Sequence, residues 1–251
     1  MEMVLLTALG VGGATVFGSV LGFIFKKISH RFSDIVLAFA AGVMLCAAVT
    51  GLILPSLEYS SPAPLLIAIA GIFCGALFLN ILDKLIPHLH RLAGIDQEAH
   101  PDNTAKLNKV LLFVMAIGIH NLPEGIAAGV GFGSGNDAHA FTIAAGIALQ
   151  NIPEGMVIIA PMLAAGMSPT RTFLCALVTG VVEVIGTLLG YFAVSLSSAI
   201  LPFALAFAGG TMLYVISDEM IPETHHSDAR GVTYALLAGF CLMLAMGYFL
   251  E

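Results

Sequence analysis

A short phrase, N-x-P-E-G, occurs twice in the chain, and its residue types are those of a cation site. The first copy reads HNLPEG from His120, and the second reads QNIPEG from Gln150. In a helix, each Glu lies three residues after the Asn and four after the His or Gln, so the three polar side chains share one face. Imidazole, carboxylate and amide groups suit borderline divalent metal ions. The two phrases therefore predict a metal-ion site.

The segments that carry these phrases are apolar enough to cross a membrane. Of the 251 residues, 59% are apolar and only 10% are charged, whereas an ordinary globular domain has roughly 25% charged residues. The fold expected is all-α: a polytopic membrane bundle of eight transmembrane helices in a single transporter domain, 1–251. Turn and charge signals place the spans at 3–25, 35–57, 64–82, 110–132, 140–166, 172–194, 200–221 and 231–250.

The basic residues indicate how the bundle is oriented. All nine Lys and Arg residues fall in or beside the connections between spans 1 and 2, 3 and 4, 5 and 6, and 7 and 8. By the positive-inside rule these connections are cytoplasmic, including the loop 85–109, and both termini are extracytoplasmic. Pairs of glycines at helical spacing (Gly18 and Gly22, for example) also predict helices that pack closely.

Three carboxylates near mid-span support a bound cation. Glu124, Glu154 and Glu183 would each cost roughly 2.5–3.5 kcal/mol to insert as charged groups, and no Lys or Arg lies within a span to pair with them. They must be protonated or neutralised by a cation. Zn²⁺ is the first choice, with Fe²⁺, Mn²⁺ and Cd²⁺ as alternatives. The seven candidate ligands are His120, Asn121, Glu124, Gln150, Asn151, Glu154 and Glu183.

Seven ligands exceed the four that a tetrahedral zinc ion needs. Two ions could share Glu124 and Glu154, or some ligands could belong to other states of a transport cycle. Prolines 123 and 153 interrupt the helical hydrogen bonding beside the ligands, and such breaks are tolerated in a membrane where they line a cavity or the protein interior.

With its eight spans and its HNxPEG and xNxPEG phrases, the chain resembles the ZIP (ZRT/IRT-like) metal transporters, and looks closest to their GufA-like bacterial branch. The resemblance implies uptake of divalent metal into the cytoplasm across a bacterial inner membrane. It assigns a first metal position to His120, Glu124, Gln150 and Glu154. It assigns a second to Asn121, Glu124, Asn151, Glu154 and Glu183. Many members have His where this chain has Gln150.

The resemblance also bears on movement and partners. It implies an elevator-like motion of helices one, four, five and six against the others. The expected partners are metal ions as the transported substrate, the lipid bilayer and a second copy in a homodimer, but no nucleic acid.

Two further phrases, ILDKLIPHLH and ISDEMIPETH, end spans three and seven on the cytoplasmic side. Their polar residues are either an exit path for metal or ordinary solvated helix ends. They are Asp83, His88, His90, Glu219, Glu223, His225 and His226. On the opposite side, Glu58, Asp137 and His139 are interpreted as ordinary loop residues rather than as a capture site for metal.

Two other function classes compete with a transporter. The same ligands could activate water in an intramembrane metalloenzyme, but the sequence has neither H-E-x-x-H nor G-x-S-x-G, so an enzyme is not expected. A proton-coupled carrier of an organic solute is the other alternative, and an imidazole flanked by amides favours metal over a sugar or peptide.

The orientation is testable by cysteine labelling. In a background without native cysteines, Ser60→Cys and Asn136→Cys should react with a membrane-impermeant thiol reagent added to intact cells. Asn103→Cys should not react, because it lies in the cytoplasmic loop. Labelling of the residue at position 103 from outside would reverse the assigned orientation.

Overall fold

The computed structural model describes residues 1–25, 29–59, 62–92, 118, 120–164, 166–224 and 229–250. Nearly all of them are helical, and none forms a strand. Eight main helices follow one another: α1 (Glu2–Ile24), α2 (His30–Cys46), α3 (Pro64–Leu92), α4 (120–131), α5 (Asp137–Val157), α6 (Pro169–Leu196), α7 (Leu201–Val215) and α8 (Ala229–Leu250). The predicted all-α architecture is confirmed.

Seven of the helical segments in the described ranges are long and apolar enough to cross a membrane. The remaining one, α4, falls inside the fourth predicted span, most of whose first half lies outside the described residues. In the peripheral helices α3 and α8, only 22% and 17% of the membrane-length window is buried inside the protein. Their outward apolar side chains, such as Phe73 and Tyr234, suit lipid rather than water.

Helix α3 is longer than its predicted span. It continues to Leu92, so the first eight residues of the predicted loop 85–109 are helical. In the sequence, apolar residues recur there at helical spacing (Leu82, Leu85, Ile86 and Leu89), a pattern that favours a longer helix.

Helices α2 and α7 both end in π-helical turns that are followed by proline. After α2 come the π turn Ala47–Ile53 and the short helix Leu54–Glu58; after α7 come the π turn Ile216–Met220 and the turn Ile221–Glu223. Pro55 has no N–H to donate, which deprives the carbonyl of Gly51, four residues earlier, of its usual helical partner.

His139 satisfies that carbonyl. Its Nε2 lies 2.9 Å from the Gly51 oxygen, and because a carbonyl can only accept, the ring nitrogen donates. The side chain is 8% exposed. The interpretation of His139 as an ordinary loop residue is therefore wrong. Its side chain is buried and forms a hydrogen bond that joins α5 to the π turn after α2.

Close glycine contacts divide the bundle into two groups of helices. Added to these glycines, a Cβ atom would collide with main-chain atoms of the neighbouring helix, as the glycine spacing predicts. Helices α1, α4, α5 and α6 are joined in this way and are here called the motif group; the other helices form two such pairs, α2 with α8 and α3 with α7, which are together called the frame group. The glycines concerned are Gly12, Gly18, Gly125, Gly129, Gly155, Gly180, Gly186 and Gly190 in the motif group, and Gly42, Gly75, Gly210 and Gly239 in the frame group.

Contacts between the two groups have a different character. The atoms nearest to Gly51 belong to the side chain of Ile143, and those nearest to Gly146 include the thioether of Met243. Flexible side chains, rather than interlocked backbones, therefore separate the groups at these glycines.

Replacing His139 tests its structural role. We expect His139→Leu to lower the stability of the purified protein by about 1–3 kcal/mol, because a buried carbonyl loses its donor. Thermal unfolding in detergent measures the loss. Phe141→Leu, at a side chain 53% exposed on the same helix, is the control. Equal effects of the two substitutions would contradict the assigned role.

Candidate metal centre

The two motif copies lie on α4 and α5, which are joined by a tight connection and run in opposite directions. Most of the predicted ligands are buried: His120 is 6% exposed, Asn121 is 1% exposed, and Glu124, Gln150, Asn151 and Glu183 are completely buried. Glu154 alone keeps part of its surface accessible. The sequence thus places its most polar residues in the interior of an apolar bundle.

The glycine of each motif copy brings another helix against the site. A Cβ atom at Gly125 would collide with the main-chain oxygen of Glu183 on α6. At Gly155 it would collide with the main-chain oxygen of Thr15 on α1. Because glycine has no Cβ atom, it permits the neighbouring helix to approach this closely. These contacts bring two polar residues, Glu183 and Thr15, into the site.

A chain of buried hydrogen bonds joins α1, α5 and α6. Thr15 donates its hydroxyl to Glu183 Oε1 at 2.7 Å, and Asn151 donates its Nδ2 to Glu183 Oε2 at 2.9 Å. The same Asn151 nitrogen donates to the carbonyl of Val11 at 3.3 Å. Gln150 donates its Nε2 to Asn151 Oδ1 at 2.8 Å. Both oxygens of Glu183 are therefore occupied as acceptors.

The remaining motif atoms have no hydrogen-bond partner. In the described part of the chain, seven buried side-chain atoms are unpaired in this way, and six of them belong to motif residues. Those six are His120 Nε2, Asn121 Nδ2, Asn121 Oδ1, Glu124 Oε1, Glu124 Oε2 and Gln150 Oε1. Buried polar atoms are normally paired, because an unpaired one costs about 1–3 kcal/mol. Their concentration at one place marks a site that takes a ligand.

Negative charge is concentrated around the same atoms. Glu154 lies within electrostatic range of Glu124 and Glu219, and Glu183 lies within range of Glu124 and Glu154. No described Lys or Arg is among the groups that act on these carboxylates. A divalent cation would relieve their mutual repulsion.

His120 makes an unexpected contact outside the motif. Its Nε2 lies 2.6 Å from Oε1 of Glu219, on the π turn that follows α7, although the direction of approach does not make a hydrogen bond. The Glu219 side chain is 32% exposed. The structure thus joins one predicted metal ligand to one residue of the predicted exit path.

The structure does not gather the whole predicted ligand set around one point. Among the residues it describes, no three His, Cys, Asp or Glu side chains form a ready metal-binding group. His120 faces Glu219, and Glu183 is held by hydrogen bonds.

The predicted exit path is seen only in part. Glu219 and Glu223 are described, and Glu223 is exposed. The side chains of Asp83, His88 and His90 lie outside the described residues, as do His225 and His226 altogether.

Thr15 and the carbonyl of Val11 are the site groups that the sequence motifs did not reveal. The sequence of α1 is that of an apolar membrane span, and its few hydroxyl residues form no recognisable metal-binding motif. The available signal was the glycine at the end of each N-x-P-E-G phrase, which indicates that another backbone lies against the ligands.

Residues 93–247 match the family model described as ZIP Zinc transporter, and this range contains both motif copies and Glu183. The zinc transporter GufA of Myxococcus xanthus is 42% identical over 202 residues, which cover 78% of this chain and 78% of that protein. The zinc transporter ZIPB of Bordetella bronchiseptica is 36% identical over 92% of this chain and 76% of its own length. The zinc transporter ZupT of Chlorobaculum parvum is 32% identical over 95% and 94%.

Proposed function

Because the chain belongs to the ZIP zinc transporter family, we propose that it carries Zn²⁺ into the cytoplasm through a site between α4, α5 and α6. It is a multi-pass cell-membrane transporter and not an enzyme. Metal is therefore its substrate, which must bind and leave in each cycle.

The observation that carries this proposal is the cluster of unpaired polar atoms in the motif copies. Glu124 is completely buried, and neither of its carboxylate oxygens has a hydrogen-bond partner. A charged carboxylate in a low-dielectric interior needs a compensating charge. Gln150 Oε1 and Asn121 Oδ1 also lack partners, and these are oxygen atoms that a cation can use.

The first metal position is proposed to use His120, Glu124, Gln150 and Glu154. All four are neutral or anionic donors, which satisfies a tetrahedral Zn²⁺ ion. His120 must turn from Glu219 toward Glu124 to complete the set.

A second position is proposed for Asn121, Glu124, Asn151, Glu154 and Glu183. Two ions would then share Glu124 and Glu154. Glu183 and Asn151 are hydrogen-bonded to each other in this conformation, so occupation of the second position requires that bond to open. The two positions therefore differ in how much of the site must rearrange.

The donor set also bears on selectivity. Gln150 offers an amide oxygen where an imidazole nitrogen would bind zinc more strongly. We propose that Mn²⁺, Fe²⁺ and Cd²⁺ are also carried, because oxygen ligands favour the harder Mn²⁺ and Fe²⁺ and the imidazole of His120 suits the softer Cd²⁺.

Transport requires the site to face first one side and then the other. We propose that the motif group moves as a unit against the frame group. Main-chain contacts at glycines hold the motif group together and join α2 to α8 and α3 to α7 in the frame group, whereas side chains of Ile143 and Met243 lie against the glycines of the opposite group. Side-chain contacts can repack without breaking backbone packing.

Release of the ion is proposed to begin at Glu219. This carboxylate lies beside His120, is partly exposed, and belongs to the frame group through α7. An ion that leaves His120 toward the cytoplasm would meet Glu219 next. Glu223 follows one turn later, with Asp83, His88, His90, His225 and His226 as proposed further members of the path.

Uptake by the purified protein in vesicles tests the function. We expect Zn²⁺ to accumulate inside proteoliposomes faster than in protein-free vesicles, with Mn²⁺, Fe²⁺ and Cd²⁺ also entering and Mg²⁺ excluded. Glu124→Gln should lower Zn²⁺ uptake by at least about tenfold, because loss of even a supporting group costs that much at metal sites.

Glu2→Gln, which removes the same charge at an exposed residue of α1, is the matched control and should transport like the parent. If Glu124→Gln still takes up Zn²⁺ like the parent, the proposed site does not lie on the transport path. Proton current without metal flux would contradict the assigned substrate.

A further inference from the structure

Thr15 stands in the same relation to the second motif copy as Glu183 does to the first. Each has its main-chain oxygen against the glycine of a motif copy, Gly155 and Gly125 respectively. The two side chains meet at the centre, where the Thr15 hydroxyl donates to Glu183 Oε1 at 2.7 Å. Thr15 is 1% exposed, so this buried bond is shielded from water. Helix α1 thus contributes a polar group to a site that the motifs alone would confine to three helices.

The hydrogen bonds that continue from Glu183 have a fixed direction. The carboxylate oxygens and the main-chain carbonyl of Val11 are acceptors at these contacts. Asn151 must therefore turn its Nδ2 toward them, which leaves its Oδ1 to face Gln150. Gln150 in turn must donate its Nε2. Its Oε1 is then the atom left buried without a partner.

This direction decides whether Gln150 can bind a cation. An amide nitrogen carries two hydrogens and offers no acceptor site, whereas the amide oxygen has two lone pairs. Reversal of the Gln150 amide would present N–H groups to the positive ion. The first metal position therefore needs the chain of hydrogen bonds to point toward Glu183.

We propose that Thr15 is a positioning residue of the metal site, which holds Glu183 so that Asn151 and Gln150 keep the direction that leaves Gln150 Oε1 free to bind the ion. The inference rests on the proposed function, because it takes the ion to bind beside Glu124. Thr15 itself touches no metal. It acts on the ion through Glu183, Asn151 and Gln150.

Substitution of Thr15 tests the role of its hydroxyl. Thr15→Val keeps the shape and removes the donor, and should raise the Kd for Zn²⁺ of the purified full-length protein about tenfold, the lower end for supporting groups at metal sites. Thr15→Ser keeps the donor and should stay within about twofold of the parent. Competition with a fluorescent chelator measures both values.

Thr179→Val is the matched control. Thr179 is also a buried threonine, on α6, but its hydroxyl donates to the main-chain oxygen of Ala176 in the same helix. Its Kd should remain within about twofold of the parent's. If Thr15→Val does not fold, Thr15→Ala against Thr15→Ser gives a second comparison that differs by one oxygen atom.

A double-mutant cycle separates positioning from packing. In a Gln150→Ala background the amide is gone, so Thr15→Val should change the Kd by less than about twofold. A similar tenfold change in both backgrounds would show that Thr15 only packs α1 against α6, and would overturn the proposal. An unchanged Kd in the single Thr15→Val variant would also overturn it.

The outcomes distinguish this inference from the proposed function. If the parent protein binds no Zn²⁺ and Glu124→Gln behaves identically, the proposed metal site itself fails. If the parent binds Zn²⁺ and Glu124→Gln does not, the site stands, and the comparison of Thr15→Val with Thr15→Ser judges the role of Thr15 alone.

Discussion

Buried negative charge without a basic partner is the constraint on which the rest of this bundle depends. Glu124 and Glu183 are fully buried, and Glu154 lies close to both. In water such groups would be solvated, but in a membrane interior each is costly unless it is protonated or paired. A protein that only needed to be stable would not retain all three. In the proposed transporter, the same charges that destabilise the site without metal would attract its substrate.

The surrounding structure controls that charge with backbone contacts and hydrogen bonds rather than with counter-charges. Glycines 125 and 155 let α6 and α1 approach the motif helices closely enough to place Glu183 and Thr15 in the site. The hydroxyl of Thr15 and the amide of Asn151 stabilise the carboxylate of Glu183. Glu124 has no such partners. The site thus contains one satisfied carboxylate and one that is free to bind, and this difference suits an ion that must later leave.

Much of this arrangement could be predicted from the sequence because its signals are local. Hydropathy predicted eight spans, seven of which coincide with membrane-length helices in the described residues. Glycine spacing indicated the close contacts, and helical spacing predicted that the three polar residues of each motif copy share one face. The hydrogen bond between Thr15 and Glu183 joins residues 168 positions apart in the chain, and no periodic pattern in the sequence predicts it. The contact of His120 with Glu219 is equally long-range, since it depends on how the motif group sits against the frame group.

His139 shows a second reason why part of the structure could not be predicted from the sequence. Its position near a helix start in a polar segment suggested a loop residue, yet it is buried against the Gly51 carbonyl. The Gly51 carbonyl needs this hydrogen bond because Pro55, elsewhere in the chain, has no N–H to donate to it. Sequence spacing identifies which carbonyl a proline deprives of its helical partner, but the tertiary fold determines which side chain replaces it.

Anomalous scattering at the zinc absorption edge, from crystals of the full-length protein grown with Zn²⁺, tests the central claim most directly. The account predicts a peak about 2.0–2.2 Å from a Glu124 carboxylate oxygen, with His120 Nε2 and Gln150 Oε1 at similar distances. Zinc found only near Glu219 and Glu223, with no peak beside Glu124, would contradict it.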